Sequence, residues 1–205
     1  MKKVVSAYQV QQAAKSTKVV LMDEGMIISP LAADLAKELG VRFEKNRSTI
    51  PDSQTFKDVF PVKVVAIASD HGGFEYKKML LPYLRKLGYI AHDLGPVSDV
   101  ACDYPDFAFK VAQAVASEKA DKGIMIDSVG IGSAMAANRV PGVLAAKCNN
   151  EFEAASAREH NYANVLTFGA KIIGSEMAKS IVKIFLETAG GAERHQKRIK
   201  KILDR

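Results

Sequence analysis

The chain has 205 residues, 48% hydrophobic and 25% charged, which fits one globular domain with or without an appendage and argues against a disordered chain. No apolar stretch approaches the ~18 residues of a membrane span, and the N-terminus lacks the apolar segment of a secretory signal, so we expect a cytoplasmic protein with no membrane partner. The net charge is +6, but its basic tail at 191–205 carries no aromatic residue or nucleic-acid motif, so we expect no nucleic-acid partner.

The first 61 residues predict a small α/β extension followed by a linker. In chain order the patterns indicate a helix at 6–16, a strand at 18–30 and a helix at 31–41. The polar residues 43–61 that follow are typical of a linker. We identify no internal repeat in this extension or elsewhere in the chain.

Strands and helices alternate from residue 62 onward. Strands are predicted at 62–69, 89–95, 122–128, 142–148 and 164–171, and helices at 73–88, 103–119, 133–140, 150–161 and 175–188. Elements that alternate at this spacing form a parallel sheet covered on both faces. The sequence therefore predicts a doubly wound, Rossmann-like α/β domain at 62–205 and a small N-terminal α/β extension at 1–61.

Polar residues cluster near the predicted strand ends, where open parallel sheets bind their ligands. The four clusters are Ser69–Gly73, Asp127–Ser133, Asn149–Asn150 and His160–Asn161. His71 directly follows a strand and precedes two glycines, which favours a functional role over a place in the core. His160 has two interpretations, a functional residue or a favourable charge at the end of its helix.

The loop after the strand at 122–128 has the composition of an anion-binding turn. Gly130 and Gly132 allow backbone N–H groups to approach a ligand, and a following helix favours negative charge. A dinucleotide-binding fingerprint is excluded because Met135 stands where that motif requires glycine or alanine. The loop therefore binds an enediolate or a phosphate, or it is simply a tight strand-to-helix turn.

The C-terminal tail and the cysteines complete the set of candidate groups. Arg194, His195 and Arg198 share one helical face, where two guanidiniums suit a phosphate, although a solvated charged face is the other interpretation. Cys102 and Cys148 are the only cysteines, which excludes a disulfide framework. The histidines lie apart from any carboxylate or thiol ligand set, so we expect no metal site.

Five motifs in order resemble those of one enzyme family. They are SDHGGFEYK (69–77), DYPDFAFKVAQAVA (103–116), GIGSAMAANRVPGV (130–143), AREHNYANVLTFGAKIIG (157–174) and ERHQKR (193–198). On these motifs, residues 64–205 resemble the ribose-5-phosphate isomerase B and galactose-6-phosphate isomerase family. The resemblance implies aldose–ketose isomerisation of a pentose or hexose phosphate through an enediolate, without metal or organic cofactor. It also implies a homodimer or homotetramer whose active sites are shared between subunits.

The resemblance further implies roles for single residues. His160 would assist ring opening, and Tyr104 would shape the pocket. Asp70 and His71 would contact the sugar and phosphate. Substrate oxygens and the developing negative charge would be held by the loop residues Ser128, Gly130, Gly132 and Ser133 together with Asn161. The phosphate would be bound by Arg194 and Arg198 of a partner chain.

The chain departs from the family pattern at the position of the catalytic base. Asp127 stands where many relatives carry a cysteine in a C-G-T-G-x-G pattern, and Ser133 stands where other relatives use a glutamate. Three interpretations follow. Asp127 is itself the base, or it binds a hydroxyl of a different sugar, or the protein binds a sugar phosphate without converting it.

The N-terminal extension has a weaker resemblance of its own. Residues 26–41 (MIISPLAADLAKELGV) resemble short modules on enzymes of bacterial microcompartments, and residues 6–16 have the pattern of an amphipathic docking helix. A helix that packs on its own domain or on a partner subunit is the alternative. Docking to a shell, and a location inside a microcompartment, are therefore hypotheses.

Overall fold

The computed structural model describes residues 4–22, 26–45 and 58–204. The chain divides into two compact units, Met1–Thr55 and Phe56–Arg205. Within the described ranges no helix is long and apolar enough to cross a membrane. In the same ranges, no three histidine, cysteine or carboxylate side chains come together in a group that could hold a metal ion.

The first unit contains the same strand–helix–strand pattern twice. The first copy is β1 (Val4–Val5), α1 (Ala7–Ala14) and β2 (Val19–Met22), and the second is β3 (Ile27–Ile28), α2 (Pro30–Leu39) and β4 (Arg42–Lys45). Strand β1 pairs with β3 and β2 with β4, both in parallel, and every residue pairs with the one 23 positions later. Ser6 and Ser29, also 23 positions apart, are the N-caps of the two helices. The unit is therefore an internal repeat, and the expectation of none was wrong.

This repeat changes two predicted boundaries. The predicted single strand at 18–30 is two strands, β2 and β3, which belong to different strand pairs. The predicted linker at 43–61 begins inside β4, whose residues pair with β2. Most of the remaining predicted linker, residues 46–57, lies outside the described residues.

The second unit is built on one five-stranded parallel sheet. Its strands are β5 (Val64–Ser69), β6 (Ile90–Asp93), β7 (Lys122–Asp127), β8 (Ala145–Lys147) and β9 (Val165–Gly169). Their spatial order is β6-β5-β7-β9-β8, and every pair is parallel. The central strand β7 is buried along its whole length, as expected of a strand covered on both faces.

Helices cover both faces of this sheet. They are α3 (Phe74–Lys86), α4 (Tyr104–Ala116), α5 (Ile131–Ala137), α6 (Glu151–Glu159) and α7 (Ser175–Glu187), and a last helix, α8 (Glu193–Leu203), follows them in the chain. One apolar core joins α3, α6 and α7 to the sheet, and Leu80 and Phe185 lie in it. A second core joins α4 and α5 to the other face through residues such as Val111 and Ala137. The predicted doubly wound α/β domain is thus confirmed.

A charged residue of the predicted linker is part of this second unit. Asp58 accepts hydrogen bonds from Lys122 at 3.0 Å and from Arg158 at 2.6 and 2.9 Å. The amide of Gly190 adds a bond of 2.7 Å. Burial alone would raise the pKa of Asp58, but the two cationic partners outweigh it and hold that pKa below its ordinary value. Asp58 thereby joins β7, α6 and the segment that leads to α8.

Candidate active site

Two carboxylates lie next to each other where β5 and β7 end. Ser69 pairs with Ile126, and the amide of Asp70 donates to the Ile126 carbonyl at 3.0 Å, so Asp70 and Asp127 follow the paired strand ends side by side. Both side chains are almost fully buried, with 6% and 5% of their surface exposed. Parallel strands end at the same edge of a sheet, and we call this one the carboxyl edge.

His71 lies at the same edge and is exposed. Its Nδ1 lies 3.1 Å from the carbonyl oxygen and 3.3 Å from the amide nitrogen of Cys102. These contacts fix the imidazole ring through one nitrogen and leave Nε2 available to a ligand. The structure therefore places His71 beside Asp70, with its ring held by backbone rather than by another side chain.

The side chain of Asp127 organises the loop that follows β7. Its Oδ1 accepts from the amides of Val129, at 2.6 Å, and Gly130, and its Oδ2 accepts from the amide of Ser133, at 3.2 Å, and from the Ser133 hydroxyl. A carboxylate offers about four lone-pair sites, and all of them are occupied here. This geometry favours a loop-holding role for Asp127 over the predicted role as base.

The two glycines of the loop are required by close packing. Gly130 has φ +86°, and a Cβ at this position would lie 2.7 Å from the backbone of Phe168. A Cβ on Gly132 would lie 2.5 Å from the ring of Tyr104, so Tyr104 packs directly against the loop. The Ser128 hydroxyl packs against Gly72, because a Cβ on Gly72 would lie 2.3 Å from the hydroxyl oxygen.

The predicted oxyanion role of the loop needs a correction. The amide of Gly130 donates to Asp127, so it is not free for a substrate oxygen. The amides of Ile131 and Gly132 belong to the first turn of α5, where amides have no partner within the helix. Of the predicted loop amides, that of Gly130 is therefore occupied, whereas those of Ile131 and Gly132 have no partner within α5.

Histidines and arginines form a second group at the end of α6. The rings of His160 and His195 lie 4.6 Å apart, and Ser156 contacts Nδ1 of His160 at 3.1 Å. A cleft of about 550 Å³ opens beside them and is also lined by Arg194. Burial, followed by the charges of Arg194, His160 and Arg198, lowers the pKa of His195, so His195 favours its neutral form at neutral pH.

This second group does not lie at the carboxyl edge, where the sequence predicted it. Helix α6 runs back across the sheet, so His160 and Asn161 come shortly before β9 begins. Asn164, the residue before β9, accepts from the amide of Gly123 near the start of β7. The opposite edge, which we call the amino edge, therefore holds His160, Asn161, Arg194 and His195. The six residues of β7 separate the two edges by roughly 17 Å at about 3.3 Å per residue.

Neither cysteine takes the place of the missing family cysteine. Burial, with a contribution from the charge of Glu153, raises the pKa of Cys148 to about 12, which leaves its thiol protonated and unreactive at neutral pH. Cys102 contacts His71 only through its backbone. The predicted cluster at Asn149–Asn150 begins α6, and the Asn150 side chain caps it by accepting from the amide of Glu153 at 2.8 Å.

One residue that holds the loop was not predicted from the sequence. Thr167, on the buried strand β9, donates its hydroxyl hydrogen to the Gly130 carbonyl at 2.8 Å. A single hydroxyl within the otherwise apolar run VLTFG is the signal that could have identified it, because a buried hydroxyl requires a partner. Thr167 and Asp127 together fix the backbone of the loop from two neighbouring strands.

Comparison with known proteins identifies the second unit. A family model described as Ribose/Galactose Isomerase matches residues 65–202. A putative sugar phosphate isomerase of Bacillus subtilis is 42% identical over 141 residues, which cover 68% of this chain and 95% of that protein. Ribose-5-phosphate isomerase B of Escherichia coli is 38% identical over 141 residues, 69% of this chain and 95% of that protein.

Solved structures give the same result. A ribose 5-phosphate isomerase from Thermotoga maritima is 43% identical with a TM-score of 0.68, over 70% of this chain and 99% of that one. Ribose-5-phosphate isomerase B from Mycoplasma genitalium with bound ribulose-5-phosphate is 43% identical with a TM-score of 0.66, over 69% and 94% of the two chains. The family model leaves out the first 64 residues of the chain.

Proposed function

Since this chain belongs to the ribose/galactose isomerase family, it is a sugar-phosphate isomerase, and we propose that it interconverts the aldose and ketose forms of a pentose phosphate through an enediolate. The observation that carries this proposal is that the two edges of the sheet hold different kinds of functional group. Buried carboxylates at the carboxyl edge suit proton transfer at carbon, and the guanidinium of Arg194 in the amino-edge cleft suits a phosphate. Ribose 5-phosphate is the first substrate to test, because the named relatives act on it.

We propose that two copies of the chain build each site. A pentose phosphate is too short to reach from Asp70 at one edge to Arg194 at the other edge of the same chain. A twofold axis that sets the carboxyl edge of one copy against the amino edge of the other creates two complete sites. The opposite charges of the two edges support this pairing.

The surface around the carboxyl edge also supports a partner chain. Large apolar side chains are exposed there on the loops and on α5, namely Val97, Val100, Val129, Ile131 and Met135. Exposed apolar side chains that cluster in this way are typical of a protein interface. Burial of this surface by a second copy would also exclude water from an enediolate.

Within such a site the predicted roles divide as follows. His160 assists ring opening, and Arg194 and Arg198 hold the phosphate from the partner. Tyr104 closes one wall. Amides in the first turn of α5 stabilise the enediolate oxygen. A single well-placed donor of this kind typically raises the catalytic rate by about 10²–10³-fold.

Hydrogen exchange at carbon tests the proposed function directly. In deuterated water the wild-type protein is expected to exchange the C2 proton of ribose 5-phosphate and to form ribulose 5-phosphate. A panel of hexose 6-phosphates, followed by the same NMR signal, distinguishes a pentose from a hexose specificity. The matched control is the Arg194→Ala/Arg198→Ala variant, which is expected to lose binding and exchange together.

The same experiment addresses the alternative of a silent sugar-phosphate binder. That alternative is favoured by one observation, the occupied lone pairs of Asp127 at the position of the family's base. Calorimetric binding of the sugar phosphates without exchange in any of them would contradict the proposed isomerisation and support the binder.

For the N-terminal unit we propose docking to the shell of a bacterial microcompartment. Exposed Tyr8 and Leu31 support a protein contact, because they occupy equivalent positions of the 23-residue repeat. Since β1 pairs with β3, a deletion of 1–18 would break the unit, and residues 1–55 are the better deletion. We expect this deletion to abolish co-sedimentation with shell proteins and to leave sugar-phosphate binding intact. Unchanged co-sedimentation would contradict docking.

A further inference from the structure

The two neighbouring aspartates of the carboxyl edge differ in how their oxygens are used. Asp127 has every lone pair occupied by the loop it holds. To accept a proton from carbon it would have to release the amide of Val129 or Gly130, or one of its bonds to Ser133. A proton carrier must instead have an oxygen that faces the substrate, so Asp127 is poorly placed for that task.

Asp70 has the available oxygen that Asp127 lacks. Its carboxylate accepts from two backbone amides, Gly73 at 3.0 Å to Oδ1 and Gly72, whereas Asp127 accepts four bonds, and in the described part of the chain no side-chain donor contacts Asp70. The two glycines that follow Asp70 carry no side chain that would cover it. Its neighbours at the carboxyl edge include His71 and Ser128, to which the family resemblance assigns substrate contact.

The electrostatic surroundings of Asp70 also support this role. Burial raises the pKa of Asp70, the amide of Gly73 opposes this, and the charge of Asp127 raises the pKa again. The charged groups that face Asp70 are Asp127 and, with the opposite effect, His71. A carboxyl group whose pKa is raised by burial and by a neighbouring negative charge is suited to carry a proton.

We propose that Asp70 is the catalytic residue that carries the proton between C2 and C1, and that Asp127 serves as the positioning residue that holds the loop. This inference rests on the proposed isomerisation. Asp70 takes the C2 proton, the C–H electron pair becomes the C1=C2 double bond, and the carbonyl electrons of C1 move onto O1. Asp70 then returns the proton to C1, and the O2 hydroxyl proton passes to O1. The sugar phosphate keeps its composition, so the step needs no co-reactant.

Substitution of Asp70 by asparagine tests this assignment. Asp70→Asn keeps the size of the side chain and an oxygen for the Gly73 amide, but cannot accept the proton. We expect C2 exchange of ribose 5-phosphate to fall by about 10²–10⁴, the usual contribution of a general base, with calorimetric binding changed by less than about threefold. In Asp70→Ala, added formate is expected to restore part of the exchange, because it supplies a carboxylate in the vacated space.

The pH profile separates the two aspartates. In wild type, exchange rises with pH as Asp70 loses its proton, and this acid limb lies above the ordinary range of a carboxyl group. Asp127→Asn removes the neighbouring negative charge, which lowers the pKa of Asp70 and moves the acid limb to lower pH at a reduced rate. In Asp70→Asn the acid limb disappears.

The outcomes distinguish this inference from the function on which it rests. If the wild type exchanges the proton and Asp70→Asn loses less than tenfold of this rate, the role of Asp70 is overturned and the isomerase stands. An acid limb that does not move in Asp127→Asn would have the same meaning. Absence of exchange in the wild type across the sugar-phosphate panel would contradict both. Far-ultraviolet circular dichroism shows whether each variant has folded. If Asp70→Asn has not folded, formate rescue of Asp70→Ala decides whether Asp70 carries the proton.

Discussion

A mixture of two inactive variants is expected to recover about a quarter of wild-type activity, if each site joins the carboxyl edge of one copy to the amino edge of another. One variant, Asp70→Asn, is defective at the carboxyl edge. The other, Arg194→Ala/Arg198→Ala, is defective at the amino edge. Random pairing of equal amounts makes half of the dimers mixed, and each mixed dimer has one site built from two intact edges. The other site of that dimer carries both defects.

Co-expression with two affinity tags allows the mixed dimers to be isolated and their isomerase rate measured. They are expected to show about half of the wild-type rate per dimer, whereas each parent stays near background. The control is a mixture of Asp70→Asn with Asp127→Asn, since both changes affect the same edge, every site in the mixed dimer keeps one defect, and its rate stays at the average of the two parents. Mixed dimers as inactive as their parents would show that one chain builds a whole site.

The sequence predicts the sheet well because the physical signal is local. Most predicted strands of the second unit are short apolar runs, and the central run at 122–127 is buried throughout. Runs of this kind require cover on both faces, which leaves few arrangements besides a doubly wound sheet. Five ordered motifs then identify the family.

The separation of the two edges follows from the direction of the chain. In a strand–helix–strand unit the helix runs antiparallel to its strands, so residues that begin a helix and residues that end it lie at opposite edges. Asn150 begins α6 and His160 follows its end. The same rule, applied to the predicted helix at 150–161, places His160 away from Asp127 on sequence alone.

The role of Asp127 depends on backbone geometry that residue types do not specify. Its four hydrogen bonds require Gly130 in a left-handed conformation and Ser133 one turn into α5. A carboxylate at a strand end is equally compatible with a free base and with a loop anchor. Similarly, the sequence signal of the 23-residue repeat is weak: Ser6 and Ser29 match, but residues such as Gln9 and Ala32 share a position without sharing chemistry, and the strand pairing makes the repeat plain.

The buried arginine of α6 illustrates how much the predicted linker contributes to the fold. Arg158 has no exposed surface, and besides Asp58 it contacts the carbonyls of Ala163 at 2.6 Å and Thr188 at 3.1 Å. It therefore connects the residues before β9 to the segment that leads to Arg194. A polar stretch such as 43–61 gives no sign that one of its carboxylates becomes the partner of a buried guanidinium.

Replacement of this arginine is expected to destabilise the second unit strongly. Arg158→Met removes the guanidinium, leaves two carbonyls without this donor and takes from Asp58 one of its two cationic partners, and loss of one partner of a buried ion pair costs about 3–5 kcal/mol. Lys122 still contacts Asp58, so the lower end of that range is the expected value. Removal of the whole charged cluster at once would cost less, since no unpaired charge would remain.

Urea unfolding followed by tyrosine fluorescence measures the effect of Arg158→Met, because the chain has no tryptophan and five of its six tyrosines lie in the second unit. The midpoint is expected to fall with little change in slope. The matched control is Lys179→Met, whose ion pair with Glu176 lies at the surface and is worth about 0–1 kcal/mol. A loss in Arg158→Met no larger than in this control would contradict the importance of the Asp58 network, and with it the inclusion of residue 58 in the isomerase unit.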